Sequence, residues 1–511
     1  MTTLNPVLVK ELRQAVRSNF VVAAMCLLVL IQMITTGVAL ANADMAIASY
    51  GLSSQGQQIF MAMLSILSGG CLFFIPAYCG FRLAVERAPG NVDLLFITSI
   101  TPWTAIRGKV LSGVVLTVLF FSTSAPFMVL TYLMRGIDIP TMLVALCVAF
   151  LYVIAAIQAA IVVACVPASR LFKVLLALAT AGVFVIGISP MVAVTFELLR
   201  SGYAGLGLGV SSAIVVAAML LLYAGIMAVM HVFSTAMIMP ESANRALPVR
   251  LTVTAAWAAS LITFLILAAY AGMGPLYFWC GLATGCICIA MLIALSESER
   301  LSVRVRMTIP RGLLRIPAFL FYNGPVAGVI WSLVLFGMTV GITLIACDVL
   351  GFFHAFPKWS HSRPGEANLF IATCGGVMAY VYAYAMTAVL LYRLLLHRWL
   401  AEKVIGLAAL LLMAIGAFMP WMWVLMTGSL DHPNFPDEVM LGNITALLTT
   451  KAPHLHIFFA FIWAAIMTCV NIHWYGRQIL AFKRHIPATP PEPTTETTAN
   501  EKPVPPVSPA G

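Results

Sequence analysis

Long apolar runs alternate with short polar segments along nearly the whole chain. The runs occupy positions 20–40, 59–81, 110–133, 141–168, 174–196, 207–238, 251–272, 276–296, 325–350, 368–392, 404–427 and 456–476. Each run suffices to cross about 30 Å of hydrocarbon, which takes about 20 helical residues. Runs such as VLLALATAGVFVIGI do not alternate, which argues against a β-barrel. The pattern predicts an all-α polytopic membrane protein with about twelve transmembrane helices.

Composition places the chain in the same class. Hydrophobic residues make up 62% of it and charged residues 9%, whereas a soluble domain has about 25% charged residues. All eleven cysteines fall inside predicted spans, where they behave as small apolar residues. No disulfide framework is therefore predicted, and the first span is expected to be a permanent anchor rather than a cleaved signal peptide.

The basic residues indicate an orientation. If the N-terminus is inside, the outer segments hold only five of the 28 Lys and Arg residues, namely Arg135, Arg200, Lys358, Arg363 and Lys451. Lys and Arg concentrate in cytoplasmic loops, so both termini are predicted to be cytoplasmic. The net charge of +10 then follows from topology and contact with anionic lipid. No nucleic-acid partner is needed to explain it.

Polarity divides the chain into parts. Residues 1–18 form a polar start, 19–250 a first six-helix membrane half, and 251–480 a second six-helix half. Residues 481–511 are rich in Pro, Thr and Glu and predict a disordered cytoplasmic tail, because they cannot bury enough apolar surface to fold. Six spans in each half suggest a duplication, but the second half has no copy of the segment 86–103.

The polar start predicts a helix at the inner membrane surface. Leu4, Val7, Leu8, Leu12 and Val16 share one side of it. Its charged residues are Lys10, Glu11, Arg13 and Arg17, and the basic ones can extend to lipid phosphates. The alternative interpretation is the ordinary positive flank of a first transmembrane helix.

The inner segment 82–109 contains ERAPGNVDLLFITSITPW and is too long and patterned for a simple turn. Asn91 can cap a helix with Asp93 in its first turn, where a negative charge suits the helix dipole. Leu94 and Leu95 contribute to its apolar side, and Pro102 is expected to end it. The alternative is a short interfacial helix that merely links two spans.

A second inner segment, 296–317, contains five arginines and two glutamates. It predicts either an interfacial helix that faces anionic lipid or a positively charged anchor for the flanking spans. The anchor explains every arginine in it.

No catalytic or metal site is predicted. The phosphate-binding pattern GxxxxGK[ST] is absent, since Gly108-Lys109 is followed by Val110 and lacks the upstream glycine. The spans contain almost no ionisable residues at mid-depth, where catalysis or an ion relay would need them. The histidine spacings match no strong metal template. The chain is therefore expected to be no enzyme and to hold no cofactor or metal.

The start NPVLVKELRQAVRS and the loop after the second span together resemble the ABC transporter permeases of the type-2 (ABC-2) exporter class. That family's loop pattern, E-x-x-x-G-T-x-[DE]-x-L-L-x-x-P-[LI]-[ST], corresponds here to Glu86, Gly90, Asn91, Asp93, Leu94, Leu95 and Pro102. Asn91 replaces the usual Thr, the leucine pair comes one position early, and the proline is displaced toward the third span. The resemblance covers residues 1 to about 110.

The resemblance implies that these loop residues form a coupling helix that docks on a separate ATPase subunit. The implied partners are a cytoplasmic ATP-binding cassette subunit and membrane lipids, with a second copy of the chain or a second permease as a further possibility. The implied location is the bacterial inner (plasma) membrane. The first hypothesis is an ABC exporter permease. A non-transporting membrane scaffold or assembly factor derived from the permease fold is the second, and a membrane-embedded enzyme is the third.

Overall fold

The computed structural model describes residues 5–41, 52–86, 101–134, 137–167, 169–205, 210–240, 242–352, 364–398, 401–427, 440–449 and 453–484. Within these ranges every regular element is a helix. Twelve helices there are long and apolar enough to cross a membrane, so the predicted all-α membrane fold with twelve spans is confirmed. Of the predicted tail 481–511, Ala481 ends the last helix and residues 485–511 lie outside the described residues.

The first half begins with a short helix and continues with six spans. Its helices are α1 (Pro6–Val16), α2 (Asn19–Ala41), α3 (Leu52–Glu86), α4 (Pro102–Leu133), α5 (Ile139–Cys165), α6 (Arg170–Ile186), α7 (Ile188–Gly205) and α8 (Val210–Ile238). The fifth span is formed by α6 and α7 together. The inner end of the bundle is defined here as the end that contains the last residue of α3 and the first residue of α4.

The second half consists of six spans and short connecting helices. These are α9 (Ala246–Ala271), α10 (Gly274–Ala294), α11 (Val303–Met307), α12 (Arg315–Phe319), α13 (Pro325–Phe352), α14 (Pro364–Leu394), α15 (Ile405–Thr427), α16 (Ala446–Thr449) and α17 (Pro453–Ala481). Short 3₁₀ turns occupy Gly312–Leu314, Leu396–Arg398 and Glu402–Val404. The two halves meet where α8 packs on α9.

Each half is packed around its own main apolar core. In the first half, α3 lies among α2, α4 and α5, and Met63, Phe120 and Ile157 are buried at their contact. In the second half, α14 lies among α10, α15 and α17, with Met386 and Trp474 buried between them. Large apolar side chains cover the outside of the spans as well. An apolar exterior is what a hydrocarbon solvent requires.

The fifth span is interrupted at Gly187, which separates α6 from α7. The Tyr152 hydroxyl enters the gap and donates a hydrogen bond to the Phe184 carbonyl at 2.7 Å. A Cβ at Gly187 would overlap that hydroxyl. Hydropathy predicts one continuous helix over 174–196, and the tyrosine from α5 is the physical reason for the break, because it inserts into the hydrogen-bond ladder.

The segment between the second and third spans is shorter than the predicted 82–109. Helix α3 continues to Glu86, and α4 begins at Pro102. The Thr101 hydroxyl caps α4 by accepting from the Thr104 N–H at 3.2 Å. Proline suits the first turn of a helix, where its missing N–H would have had no partner. Pro102 therefore begins the third span, and residues 87–100 lie outside the described residues.

Candidate functional site

Helix α1 is attached to the start of the third span. The Asn5 side chain caps α1 by accepting from the Val7 N–H at 3.0 Å, and Pro6 follows at the first helical position. The same side chain donates to the Thr104 carbonyl at 2.9 Å. Asn5 therefore fixes the beginning of α1 against the first turn of α4 while it satisfies an otherwise free N–H.

A glycine allows the two helices to approach closely. A Cβ placed on Gly108 would lie 2.8 Å from the Val7 Cβ, which is closer than two carbon atoms can approach without repulsion. Gly108 in α4 therefore provides the space into which Val7 packs. The next residue along α4 is Lys109, and one turn beyond Val7 is Glu11. Close packing thus places these two charged residues against each other.

Five charged side chains meet at this contact and form the ion cluster, defined as Lys10, Glu11, Arg82, Glu86 and Lys109. The Lys109 Nζ lies 2.7 Å from Glu11 Oε1 and 2.6 Å from Glu86 Oε2. The Lys10 Nζ lies 2.8 Å from the other Glu86 oxygen. The Arg82 Nε lies 3.7 Å from Glu11 Oε2. Helices α1, α3 and α4 each contribute to the cluster.

The cluster is buried at its centre and open at its edge. The side chains of Glu11 and Lys109 are 5% and 8% exposed, whereas that of Lys10 is 53% exposed. A buried ammonium is tolerated only with compensating charge. Lys109 meets this condition because two carboxylates contact it. Removing the charge of Glu11 or Lys109 should therefore cost far more stability than removing that of Lys10, since exposed ion pairs contribute little.

Arg82 supports the cluster from the side of α3. Its guanidinium contacts the Gln14 side-chain oxygen and lies over the Tyr78 ring, 5.6 Å from the ring centroid. Arg82 and Glu86 are four residues apart and therefore share one face of α3. That face therefore presents Arg82 to Glu11 and Glu86 to Lys109.

The cluster lies where three helices meet. Glu86 is the last residue of α3, and Lys109 lies in the second turn of α4. The cluster therefore connects α1 to the two spans that flank residues 87–100. Within the described part of the chain, no three His, Cys, Asp or Glu side chains lie where they could share a metal ion. Ion pairs thus connect α1 to the last residue of α3 and to the second turn of α4.

The structure brings together only some of the predicted site residues. Lys10, Glu11 and Glu86 meet in the ion cluster. Arg13 and Arg17 are exposed, outside the cluster. The remaining loop residues of the predicted coupling helix lie outside the described residues, namely Gly90, Asn91, Asp93, Leu94 and Leu95.

The pairing of Lys109 with Glu11 was not predicted. A signal existed, since Glu11 is the only carboxylate among the first 43 residues. The face of α1 that contains Glu11 and Ala15 is buried against protein, although the apolar pattern places a different face toward the membrane interior. A single carboxylate in a basic segment is a candidate for a buried ion pair, but the local sequence does not indicate which cation it contacts.

No family model, curated protein or solved structure matches this chain.

Proposed function

We propose that the chain is the transmembrane permease subunit of an ABC-type exporter, which moves substrate across the membrane with ATP hydrolysed on a separate ATPase subunit in the bacterial inner membrane. The observation that carries the proposal is the ion cluster. It joins the N-terminal helix to both ends of the segment that resembles a coupling helix.

Coupling requires that a push on the loop reach the spans. A free loop would absorb the displacement in its own backbone. Here Glu86 and Lys109 on either side of the loop are in contact, so the inner ends of the second and third spans are held together. Glu11 adds α1 to the same unit through Lys109. A displacement of the loop by an ATPase would therefore move three helices.

The test is to purify the tagged chain in mild detergent and ask whether an ATPase subunit copurifies. The variant Asp93→Lys with Leu94→Glu reverses one charge of the loop and replaces one of its apolar residues with a charged one. The matched control makes equivalent changes, Glu402→Lys with Leu395→Glu, on the inner segment between the tenth and eleventh spans. Loss of the ATPase from the first variant and its retention by the control are expected.

The alternative scaffold function has its own outcome in this experiment. If no ATPase accompanies the wild-type chain under conditions that preserve other exporters, the proposal fails and the scaffold hypothesis is preferred. If both variants lose the ATPase equally, the loop is not a specific docking element. Monodispersity on size exclusion shows that each variant is folded.

A further inference from the structure

Residues 300–319 form a surface between two spans and are called the arginine platform here. They follow α10, which finishes at the inner end of the bundle, and precede α13, which starts there. The platform contains α11, the 3₁₀ turn Gly312–Leu314 and α12. Since both flanking spans end there, the platform must lie at the level of the membrane surface.

The platform has strong positive charge. It contains five arginines and no carboxylate, the arginines being Arg300, Arg304, Arg306, Arg311 and Arg315. Arg300, Arg304 and Arg311 are exposed, and none of the three forms an ion pair within the described part of the chain. Lys483 and Arg484 at the end of α17 are exposed close by, next to Phe482, which packs on the platform.

The two glutamates that precede the platform do not neutralise it, because each pairs with an arginine of a membrane-spanning helix. Glu297 pairs with Arg250 at 2.6 Å. Glu299 pairs with Arg477 at 2.7 Å and accepts from the Trp474 indole N–H at 2.7 Å. These two pairs neutralise the glutamates, so the exposed arginines of the platform remain available to a ligand.

The platform is firmly seated on the helices below it. Val305 and Ile309 are buried against Tyr322 and Phe482. The Tyr322 hydroxyl donates to the Thr308 carbonyl at 2.8 Å, and the Arg315 guanidinium lies 5.7 Å from the centroid of the Phe482 ring. The exposed side chains thus project from a fixed base.

Three large apolar side chains are exposed at the same place. Leu313, Leu314 and Ile316 are 85%, 69% and 72% exposed. Leaving them in water forfeits the gain of burying apolar surface. Apolar residues that alternate with arginines at the surface level are typical of segments that insert into the boundary between headgroups and acyl chains.

We propose that the arginine platform binds anionic phospholipid headgroups of the inner leaflet, with the exposed leucines and isoleucine inserted among the upper acyl carbons. Guanidinium groups pair with phosphodiester oxygens through two parallel hydrogen bonds, which explains a platform built from arginines. A protein partner would satisfy the charge but would also have to cover three exposed apolar side chains at the level of the membrane surface. The membrane surface provides both environments at once.

The experiment uses the full chain purified in a neutral detergent and titrated with acyl-labelled phosphatidylglycerol or phosphatidylcholine. The wild-type protein should bind phosphatidylglycerol more tightly, and added salt should weaken that binding. The variant Arg304→Gln with Arg311→Gln should bind it about 25-fold more weakly, since each basic residue near an anionic surface contributes about fivefold. Its affinity for phosphatidylcholine should not change.

The matched control is Arg393→Gln with Arg398→Gln, which removes the same charge from the next inner loop. It should retain the preference for phosphatidylglycerol. A further variant, Leu313→Ser with Leu314→Ser, should weaken binding of both lipids while leaving the salt dependence in place. The proposal is overturned if the wild-type protein shows no preference, or if the platform variant and the control lose it equally. If the platform variant keeps the wild-type preference for phosphatidylglycerol, the platform does not bind the lipid, and a protein ligand would be preferred instead.

Discussion

The Lys109 ammonium lies 2.7 Å from the Glu11 carboxylate, although the two residues are 98 positions apart in the chain. Both side chains are more than nine-tenths buried. A buried pair of this kind adds little net stability, because desolvation offsets the Coulomb attraction. Its effect is to specify geometry: α1 can satisfy both charges only at one rotation and one position against α4.

The Lys109→Met substitution should destabilise the protein strongly. It leaves the buried Glu11 carboxylate with only the longer ion pair to Arg82, whose Nε lies 3.7 Å away. Removing one partner of a buried pair costs about 3–5 kcal/mol. Thermal unfolding of the purified chain in detergent measures the effect.

Two further variants show whether the pair is the cause. Lys10→Met removes an ammonium that is 53% exposed, so its cost should stay below about 1 kcal/mol. Glu11→Leu with Lys109→Met removes both buried charges and should recover much of the lost stability. Equal losses from Lys10→Met and Lys109→Met would contradict the burial of the cluster.

Gly108→Ala should displace α1 from the third span. The new methyl group would lie 2.8 Å from the Val7 Cβ, and overpacking of this kind costs about 1–3 kcal/mol. Gly69→Ala is the matched control, because nothing lies within 4 Å of a Cβ at that position. Limited proteolysis near the N-terminus should become faster for Gly108→Ala alone. Unchanged protection would show that α1 is not packed there.

Gly187→Ala should disturb the break in the fifth span, since its methyl group would overlap the Tyr152 hydroxyl. The expected loss is about 1–3 kcal/mol. Tyr152→Phe removes the hydroxyl, so the double variant should be more stable than Gly187→Ala alone. Thermal unfolding of the four proteins forms a double-mutant cycle, and strict additivity would argue against contact between the two side chains.

Glu297 should make stability depend on pH. Burial raises the pKa of its carboxyl above the ordinary 4.5, whereas Arg250 and the Gly324 N–H act in the opposite direction. A carboxyl whose pKa is raised in the folded state binds protons more readily there, so stability falls as pH rises from 4.5 through the raised pKa. Acidification from neutral pH should thus raise the unfolding temperature of the wild-type protein relative to Glu297→Gln. A constant difference would exclude this linkage.

Much of the fold could be predicted because a membrane makes local sequence decisive. Backbone groups in hydrocarbon must be satisfied within a helix, so an apolar run of sufficient length predicts a span without knowledge of its neighbours. Helix ends were harder to predict. The third span begins at Pro102 rather than near position 110, because hydropathy detects the hydrocarbon-embedded part while capping by Thr101 determines where the helix starts.

The candidate site could be predicted only in part. The charged residues of α1 and Glu86 were recognised from their pattern, whereas no pattern indicated that Lys109 pairs with them. Pairing depends on which faces of α1, α3 and α4 meet, and that depends on Gly108 and Val7 fitting together. A local pattern contains no information about such contacts.

Sequence by itself therefore determined the helical membrane class, the number of spans and the sites of charge, because each of these depends on local hydropathy and length. Only the tertiary structure decided that Glu11 meets Lys109 and that Tyr152 interrupts the fifth span. It also decided that Glu297 pairs with Arg250 and Glu299 with Arg477, so that within the described residues neither glutamate pairs with an arginine of the platform. Those outcomes depend on packing between residues distant in the chain. A charge or a hydroxyl can be buried only where the fold places a compensating partner next to it.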